Sequence, residues 1–307
     1  MRRAANKNRY NFSTSEFFNF AEGSYLERTS RPAYAIFFLA PFIVFYEIGT
    51  ILINTDVLSQ CQVRVVAFVW IDSFLKYLGF TDKAVWCAPA LAVVVILIAL
   101  QVVSRKRWQV RPGDIVPMAV ECILLAAPLI VLSLFLSSPR QAQASSVHVG
   151  FRDAVPYKAV TNCSAADTRQ VPAIQESSSQ QQFKPSLVAD IVTGIGAGIY
   201  EELIFRLILI VALMIFFQDL LRMSYRNSII LSVLFSAALF SAHHHIFFIN
   251  GQFDRGGAFN WTEFGFRTMA GVYFAVLFSV RGFGITAGTH AFYDIIATVI
   301  NGVFFQQ

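Results

Sequence analysis

Residues 187–217 read LVADIVTGIGAGIYEELIFRLILIVALMIFF, and this long apolar run decides the fold class. A helix needs about 20 mainly apolar residues to cross the hydrocarbon core of a bilayer. Since the run is longer than that, it predicts a membrane-spanning helix that is tilted or kinked. The run also places Glu201, Glu202 and Arg206 at membrane depth. Ionisable side chains are costly there, so they are candidates for function.

The rest of the chain has the same apolar character. Of its 307 residues, 56% are hydrophobic and only 14% are charged, whereas soluble domains carry about 25% charge. Long continuous apolar runs also differ from the short alternating segments of a transmembrane β-barrel. The sequence therefore predicts an all-α, polytopic membrane protein with about seven spanning helices. The predicted spans are 32–54, 84–103, 115–136, 187–217, 227–247, 264–280 and 283–304.

Segment 64–80, RVVAFVWIDSFLKYLGF, is apolar but is interrupted by Asp72 and Lys76. We expect it to form an interfacial or re-entrant helix and not a further span. Composition divides the chain into a polar N-terminal segment 1–31, transmembrane helices 32–136 without a recognised motif, a polar linker 137–186, and a transmembrane core 187–307 that holds most of the buried charges.

Basic residues cluster between the apolar runs, and this distribution accounts for the net charge of +5 without a nucleic-acid partner. With seven crossings the clusters all fall on one side of the membrane, which the positive-inside rule assigns to the cytoplasm. We therefore expect an integral protein of a bacterial cytoplasmic membrane with a cytoplasmic N-terminus. The clusters are Arg2–Arg9, Arg105–Arg111, Arg222 with Arg226, and Arg281.

The four cysteines form no CxxC pair, so they do not indicate a metal framework. Cys87 and Cys122 fall in apolar runs, and we interpret them as packing residues. Cys61 and Cys163 fall in loops on the predicted outer side, where an oxidising compartment permits a disulfide. Two unrelated free thiols are the alternative.

Helical spacing separates the two adjacent carboxylates. Glu202 and Arg206 are four residues apart, so they lie on one helix face and can form an ion pair. Glu201 lies about 100° around the helix from Glu202. It therefore has no partner on its own helix and is expected to face a cavity.

The same spacing of four residues recurs on two later spans. Phe240 and His244 are four apart in the fifth predicted span, and His290 and Asp294 are four apart in the seventh. Residues at this spacing project from one face of a helix. Three separate helices therefore each present acid or base groups, which a single structural ion pair would not explain.

Small residues precede two of these groups. Gly194 and Gly198 are four apart, as are Gly284 and Gly288. A small-xxx-small pattern lets two membrane helices approach closely. We therefore expect the fourth and seventh spans to pack tightly and to bring Glu201 towards the histidine of the last span.

The predicted helix boundaries leave one conflict. His244 lies near the outer end of its span, and His290 lies nearer the inner end of its own. Straight helices would separate the two by more than about 10 Å in depth, so a shared site requires a tilt, a break or shifted boundaries. The neighbouring His243 and His245 point to other faces of a helix, and we interpret them as interfacial residues.

These residues resemble the motifs of the CAAX protease and bacteriocin-processing (CPBP) family, whose intramembrane proteases include the type II CAAX prenyl endopeptidases. The family pattern is EExxxR, then FxxxH, then HxxxN, on three successive membrane segments. The matching stretches here are Glu201–Arg206, Phe240–His244 and His290–Asp294, with Asp294 in place of the usual Asn. The resemblance covers about residues 185–304.

The resemblance implies that 187–307 is a catalytic core that hydrolyses peptide bonds of membrane-associated protein or peptide substrates with an activated water. Glu201 would act as general base, and His244 would share or relay the proton. His290 would stabilise the developing oxyanion with Asp294 beside it. Asp294 keeps an oxygen acceptor but lacks the amide donor of Asn, so it serves an oxyanion only when protonated and otherwise orients His290. The supporting residues are Glu202, Arg206 and Phe240.

No cofactor is needed for that mechanism. The alternative is a single divalent metal such as zinc, held by Glu201, His244 and His290, with an open position for water. Two other functions also stay open at this point. One is an ion- or metal-coupled transporter, since buried acid and histidine residues also form ion pathways. The other is a non-catalytic immunity or partner protein on the same fold.

Overall fold

The computed structural model describes residues 20–54, 61–79, 88–136, 159–163, 187–249, 252–255 and 260–304. Its helices are α1 (Tyr25–Thr29), α2 (Pro32–Asn54), α3 (Val66–Tyr77), α4 (Ala88–Ser104), α5 (Ile115–Leu136), α6 (Leu187–Leu220), α7 (Tyr225–His243) and α8 (Trp261–Phe304). Its strands are β1 (Cys61–Val65), β2 (Ala159–Cys163), β3 (Ile246–Ile249) and β4 (Gln252–Arg255). The first 19 residues, most of the predicted linker 137–186 and Cys87 lie outside the described residues.

The predicted all-α membrane fold is confirmed. Within the described residues, five helices are long and apolar enough to cross a membrane. The predicted second span is the shorter apolar helix α4. The predicted sixth and seventh spans are joined in α8, which departs from helical geometry at Gly282. Each half of α8 approaches the ~20 residues that a crossing needs, so its two halves match the two predicted spans.

The kink in α8 is fixed by its own backbone and by the neighbouring arginine. Gly282 has φ 76° and ψ 179°, a conformation that is essentially restricted to glycine. The buried Arg281 donates to both carboxylate oxygens of Glu121, over 2.6 and 2.8 Å, and to the Leu26 carbonyl over 2.8 Å. The kink is therefore held against α5 and the segment that includes α1.

Further ion pairs join this same side of the molecule. Lys106 lies 3.5 Å from Glu27, and Arg28 pairs with Asp114 at 3.1 Å. Although burial opposes it, hydrogen bonds from Arg31 and the positive charges nearby hold the pKa of the Glu27 carboxyl below its usual value. The α1 region, the basic loop before α5 and the kink of α8 thus share one side, as the sequence predicts. That this side faces the cytoplasm stays a prediction.

Close approach of α6 to the second half of α8 depends on two glycines. A Cβ on Gly198 would lie 2.5 Å from the backbone nitrogen of Ala291, and one on Gly194 would lie 2.8 Å from Cβ of Asp294. The predicted tight packing of these two helices is therefore confirmed.

The second glycine pair has a different partner from the one that we expected. Gly284 approaches the backbone of Ala35, and Gly288 approaches the ring of Phe38, both of which belong to α2. This pair therefore packs α8 against α2 and not against α6. The sequence pattern indicates a close contact, but it does not say which helix makes it.

The predicted interfacial helix is α3, whose 12 residues span about 18 Å. That is too short for the ~30 Å hydrocarbon core, so α3 is not a further span. The ring of Phe68 contacts Tyr200 at 5.1 Å between centroids, and Trp70 contacts His243 at 5.7 Å. The helix therefore packs beside the residues that follow the glycines of α6.

Two short antiparallel ladders were not predicted. β3 pairs with β4 in a hairpin directly after α7, so the predicted span 227–247 is too long and the helix ends at His243. β1 pairs with β2 so that Cys61 lies opposite Cys163. The side chains of both cysteines lie outside the described part of the chain, and their disulfide stays a prediction.

Replacing Gly198 with alanine tests the close helix contact. We expect Gly198→Ala to lower the free energy of unfolding by about 1–3 kcal/mol, because the new methyl group meets backbone that cannot move aside. Gly265→Ala is the matched control, since a Cβ there meets nothing within 4 Å. Thermal unfolding in detergent measures both, and equal shifts would contradict the packing.

The register of β1 and β2 predicts a Cys61–Cys163 disulfide. Antiparallel partners have Cα atoms about 4.5–5.5 Å apart, which lies within the range that disulfides require. Peptide mapping by mass spectrometry without reductant should find the two cysteine peptides linked, and Cys61→Ser should release the other peptide. Recovery of both cysteines as alkylated free thiols would show that the bond does not form.

Candidate active site

The predicted polar residues converge where α6, the end of α7 and the second half of α8 meet. Glu201 and Glu202 follow the glycine-rich turns of α6, and Arg206 lies in the wider π-helical segment Leu203–Ile208. Such π segments occur often at functional sites. All seven polar side chains of the cluster are buried, and Glu201, Glu202, Arg206, His290 and Asp294 are fully so. The other two are His243 and His244.

The ring of Phe240 lies at the centre of this cluster. It makes edge-to-face contacts with His244 at 5.2 Å and with His290 at 6.1 Å between ring centroids. The guanidinium carbon of Arg206 lies 4.2 Å from the same ring centroid, a distance that gives a favourable cation–π contact. Both histidines therefore contact one side chain, and the depth conflict expected for straight helices is absent.

Glu202 is engaged on both sides. Its Oε2 lies 3.0 Å from Nε of Arg206 in the predicted ion pair, and its Oε1 accepts a hydrogen bond from Nδ1 of His290 over 2.8 Å. Arg206 also donates to the Gly271 carbonyl over 3.4 Å, and the ring of Phe274 stacks on His290 at 4.5 Å. This carboxylate therefore joins α6 to α8 and fixes the orientation of the His290 ring.

The bond to Glu202 also decides what the other nitrogen of His290 does. Because Nδ1 donates to a carboxylate, a neutral ring carries its lone pair on Nε2. That Nε2 lies 3.6 Å from Oδ2 of Asp294, and both carboxyl oxygens of Asp294 are buried without a hydrogen bond from the described residues. Two acceptors that face each other in a buried site require a proton on one of them. A proton on His290 or on Asp294 would resolve this contact between two acceptors.

Glu201 faces a different direction from Glu202, towards two histidines. Its Oε1 lies 3.6 Å from Nε2 of His243, and its Oε2 lies 3.9 Å from Nε2 of His244. Neither oxygen accepts a hydrogen bond within the described part of the chain. The roughly 100° between adjacent helical residues thus gives the two carboxylates different surroundings, as the spacing predicts.

The placement of His243 was not foreseen, because we expected it to point to another helix face. The last turn of α7 tightens, and the backbone N–H of His244 donates to the Ser241 carbonyl. The Phe240 carbonyl accepts instead from Nδ1 of His243 over 2.7 Å. This bond turns the His243 ring towards Glu201, and its centroid lies 4.0 Å from that of His244.

His245 does differ from its two neighbours, as expected. Its ring lies 5.9 Å from that of Phe264 at the start of α8. It does not belong to the group of ligand atoms formed by Glu201 and the two preceding histidines. The end of α7 thus directs two of its three adjacent histidines into the cluster.

The metal ligands suggested by the sequence, Glu201, His244 and His290, differ from the group of ligand atoms that lie close together in the structure. Within the described residues, the group of at least three ligand atoms that all lie within 4.8 Å of one another is Glu201, His243 and His244. The nitrogens of His290 face Glu202 and Asp294 instead. A metal held by Glu201, His244 and His290 would need the His290 ring to leave its partners.

Two apolar contributions to the site were missed from the sequence. Phe274 stacks on His290, and the Gly271 carbonyl accepts from Arg206; both belong to the first half of α8. Although Arg267 lies four residues before Gly271, neither Gly271 nor Phe274 belongs to a recognised motif, so no signal distinguished these positions from ordinary helix packing. A further polar contact, between the Tyr200 hydroxyl and Glu47 of α2 over 3.2 Å, lies beside the cluster.

One comparison with known proteins bears on this geometry. Residues 183–296 match a family model described as type II CAAX prenyl endopeptidase Rce1-like. The matched segment includes all three motifs, from Glu201 to Asp294, and the family resemblance is therefore confirmed for this segment. At the level of the family, it supports an intramembrane protease of the CAAX type. No curated protein and no solved structure matches the chain.

The buried ion pair predicts a large effect of removing one partner. Arg206→Met should lower the free energy of unfolding by about 3–5 kcal/mol, because Glu202 is then left buried without its counter-charge. The double variant Glu202→Gln with Arg206→Met should be destabilised by less than the sum of the two single variants. Unfolding in detergent measures this cycle, and strict additivity would show that the two side chains are not coupled.

Proposed function

We propose that this chain, whose residues 183–296 match the type II CAAX prenyl endopeptidase family, is an intramembrane endopeptidase that uses Glu201 to activate water. The observation that carries the proposal is the difference between the two adjacent carboxylates. Glu202 accepts a hydrogen bond from His290 on Oε1 and has Nε of Arg206 as an ion-pair partner 3.0 Å from Oε2. Neither oxygen of Glu201 accepts a hydrogen bond from the described residues, and its histidine neighbours lie at 3.6 and 3.9 Å. A general base needs an available lone pair of this kind.

The first chemical step needs a water between Glu201 and its histidines. The separations of 3.6 and 3.9 Å exceed those of direct hydrogen bonds, so a modest widening admits a bridging water. Glu201 would take a proton from that water as the oxygen attacks the scissile carbonyl. His244 would pass a proton to the leaving amine, so the carboxylate returns to its ionised form. No covalent intermediate with the enzyme is required.

The charge that develops on the carbonyl oxygen needs a donor on the opposite side. With a proton on Nε2 or on the carboxyl oxygen 3.6 Å away, the His290–Asp294 pair would supply one. The Asp that replaces the usual Asn thus keeps a donor at this position for as long as the pair holds its proton. Glu202 and the stacked Phe274 hold the ring in place, and a preorganised donor in a dry site gives strong electrostatic stabilisation.

The surroundings of the site suit a substrate that is itself in the membrane. Glu201 and His290 are fully buried between membrane-spanning helices. A peptide must therefore enter between helices, and the absence of bulk water strengthens the electrostatic interactions inside. We assign membrane-associated proteins or peptides as substrates, and we place the α1 side of the molecule in the cytoplasm from its basic clusters.

Replacing the proposed base and its histidine tests this function. Glu201→Ala and His244→Ala in purified full-length protein should each lower kcat/KM for membrane-associated peptides by about 10²–10⁴-fold, the usual contribution of general acid–base groups. Asp219→Ala is the control, since this exposed carboxylate lies at the far end of α6. Prenylated and unmodified versions of one peptide should be assayed side by side.

Unchanged hydrolysis in both variants would overturn the assignment. Chelation distinguishes the two ways of activating water. Activity that survives a strong chelator is expected for a carboxylate base, whereas loss on chelation and recovery on adding zinc would show that a metal activates the water instead.

A further inference from the structure

We infer that Glu201, His243 and His244 form a binding site for one divalent transition metal such as zinc, and that metal bound there blocks the proposed water activation. The blocking effect rests on the proposed function, because it removes Glu201 from its role as base. Binding itself does not rest on it. His243 occupies a variable position of the FxxxH motif, directly before His244, so this metal site depends on a residue that the motif does not specify.

The three ligand atoms already have nearly the spacing that a metal requires. One carboxylate oxygen of Glu201 and one nitrogen of each histidine all lie within 4.8 Å of one another. The two closest approaches are made by different oxygens: Oε1 lies 3.6 Å from Nε2 of His243, and Oε2 lies 3.9 Å from Nε2 of His244. Tetrahedral zinc with bonds of about 2.0–2.1 Å holds its ligand atoms about 3.4 Å apart. A rotation of the Glu201 carboxylate, with a closer approach of the two imidazoles, would complete the site. Two histidines and one glutamate are a common zinc ligand set.

The protonation of His243 suits a metal ligand. Its Nδ1 donates to the Phe240 carbonyl over 2.7 Å, which fixes the tautomer and leaves the lone pair on Nε2 directed at Glu201. Metal-binding histidines almost always donate their other N–H to a carbonyl or carboxylate in this way. The backbone of α7 therefore prepares this ring as a ligand before any metal arrives.

The facing atoms also lack any other partner among the described residues. Both oxygens of Glu201 and Nε2 of each histidine are buried without a hydrogen bond. The side chains themselves are at most 6% exposed. Buried acceptors that point at one another are unfavourable unless a proton or a cation lies between them. A divalent cation provides a partner for all three side chains at once.

The neighbouring residues Glu202 and His290 are less suited to bind a metal ion. Glu202 already has the guanidinium of Arg206 at 3.0 Å, and His290 is bonded to that same carboxylate. The positive charge of Arg206 would repel a second cation there. The cluster therefore divides into one half that holds its own counter-charge and one half, around Glu201, whose nearest partners are the two histidines. The charge of the buried Arg267 also acts at His244, but Arg267 is itself paired with Glu263.

Metal titration of the purified full-length protein tests the site directly. The protein should carry an affinity tag without histidine, because a polyhistidine tag binds zinc. Isothermal titration with Zn²⁺ should find one site per chain, and Co²⁺ bound at the same site should give the d–d absorption of a low-coordinate centre. His243→Ala should weaken binding by more than about 100-fold, since even indirect partners of metal ligands cost 10–100-fold.

His245→Ala is the matched control. It removes a histidine two residues away whose ring lies 5.9 Å from that of Phe264 and which is not one of the three ligands, so it should leave zinc affinity unchanged. His243→Gln, which keeps a polar side chain, tests the same ligand if the alanine variant does not fold. The unfolding temperature of each variant should be measured alongside its titration. In the peptidase assay, zinc should inhibit the wild type and the His245 variant, and His243→Ala should need at least about 100-fold more zinc for the same inhibition.

Three results would overturn the proposal. The first is no zinc binding by folded wild-type protein. The second is equal zinc affinity in wild type and both His243 variants, and the third is loss of affinity in the His245 control. A protein that binds zinc as described but cleaves no peptide would refute the proposed function and leave the metal site standing.

Discussion

The ion pair of Glu202 and Arg206, with His290 bonded to the same carboxylate, is the interaction on which the site depends. All three side chains are fully buried at membrane depth, where an unpaired charge costs at least several kcal/mol. The pair therefore forms inside one helix, between residues four apart. Because His290 comes from α8, the same carboxylate also fixes that helix against α6. Removing Glu202 takes this carboxylate from both Arg206 and His290, whereas removing either of those two leaves Glu202 with one partner.

Two backbone features make this contact reachable. Gly198 lets α6 approach the backbone of Ala291, one residue after His290. Gly282 turns α8 so that its second half runs beside α6, and Arg281 secures the turn against Glu121. With Glu202 committed to this frame, its neighbour Glu201 points about 100° away, into the histidines at the end of α7. One helix turn thus carries a carboxylate that holds the structure and a carboxylate that is available for chemistry.

Much of this arrangement follows from the sequence. Composition predicts the membrane-spanning class, spacing predicts the Glu202–Arg206 pair, and the glycine at 198 predicts the contact with α8. The errors have a common physical origin, which is that helix ends and helix partners depend on tertiary structure. No local pattern marked the end of α7 at His243, so the convergence of that ring on Glu201 was missed. Gly284 indicated a close helix contact, but the sequence did not show that α2 is the partner. The catalytic roles and the domain division remain predictions.

The central claim is the division of labour between the two adjacent carboxylates, and neutral amide substitutions at each position test it most directly. Cleavage and thermal unfolding should be measured together for Glu201→Gln and Glu202→Gln in the same detergent. We predict that Glu201→Gln loses cleavage but unfolds at the wild-type temperature or above it, because it removes a buried charge without a hydrogen-bonding partner among the described residues. We predict that Glu202→Gln unfolds at a clearly lower temperature. Sustained cleavage by Glu201→Gln, or a loss of stability in that variant and not in Glu202→Gln, would contradict this account.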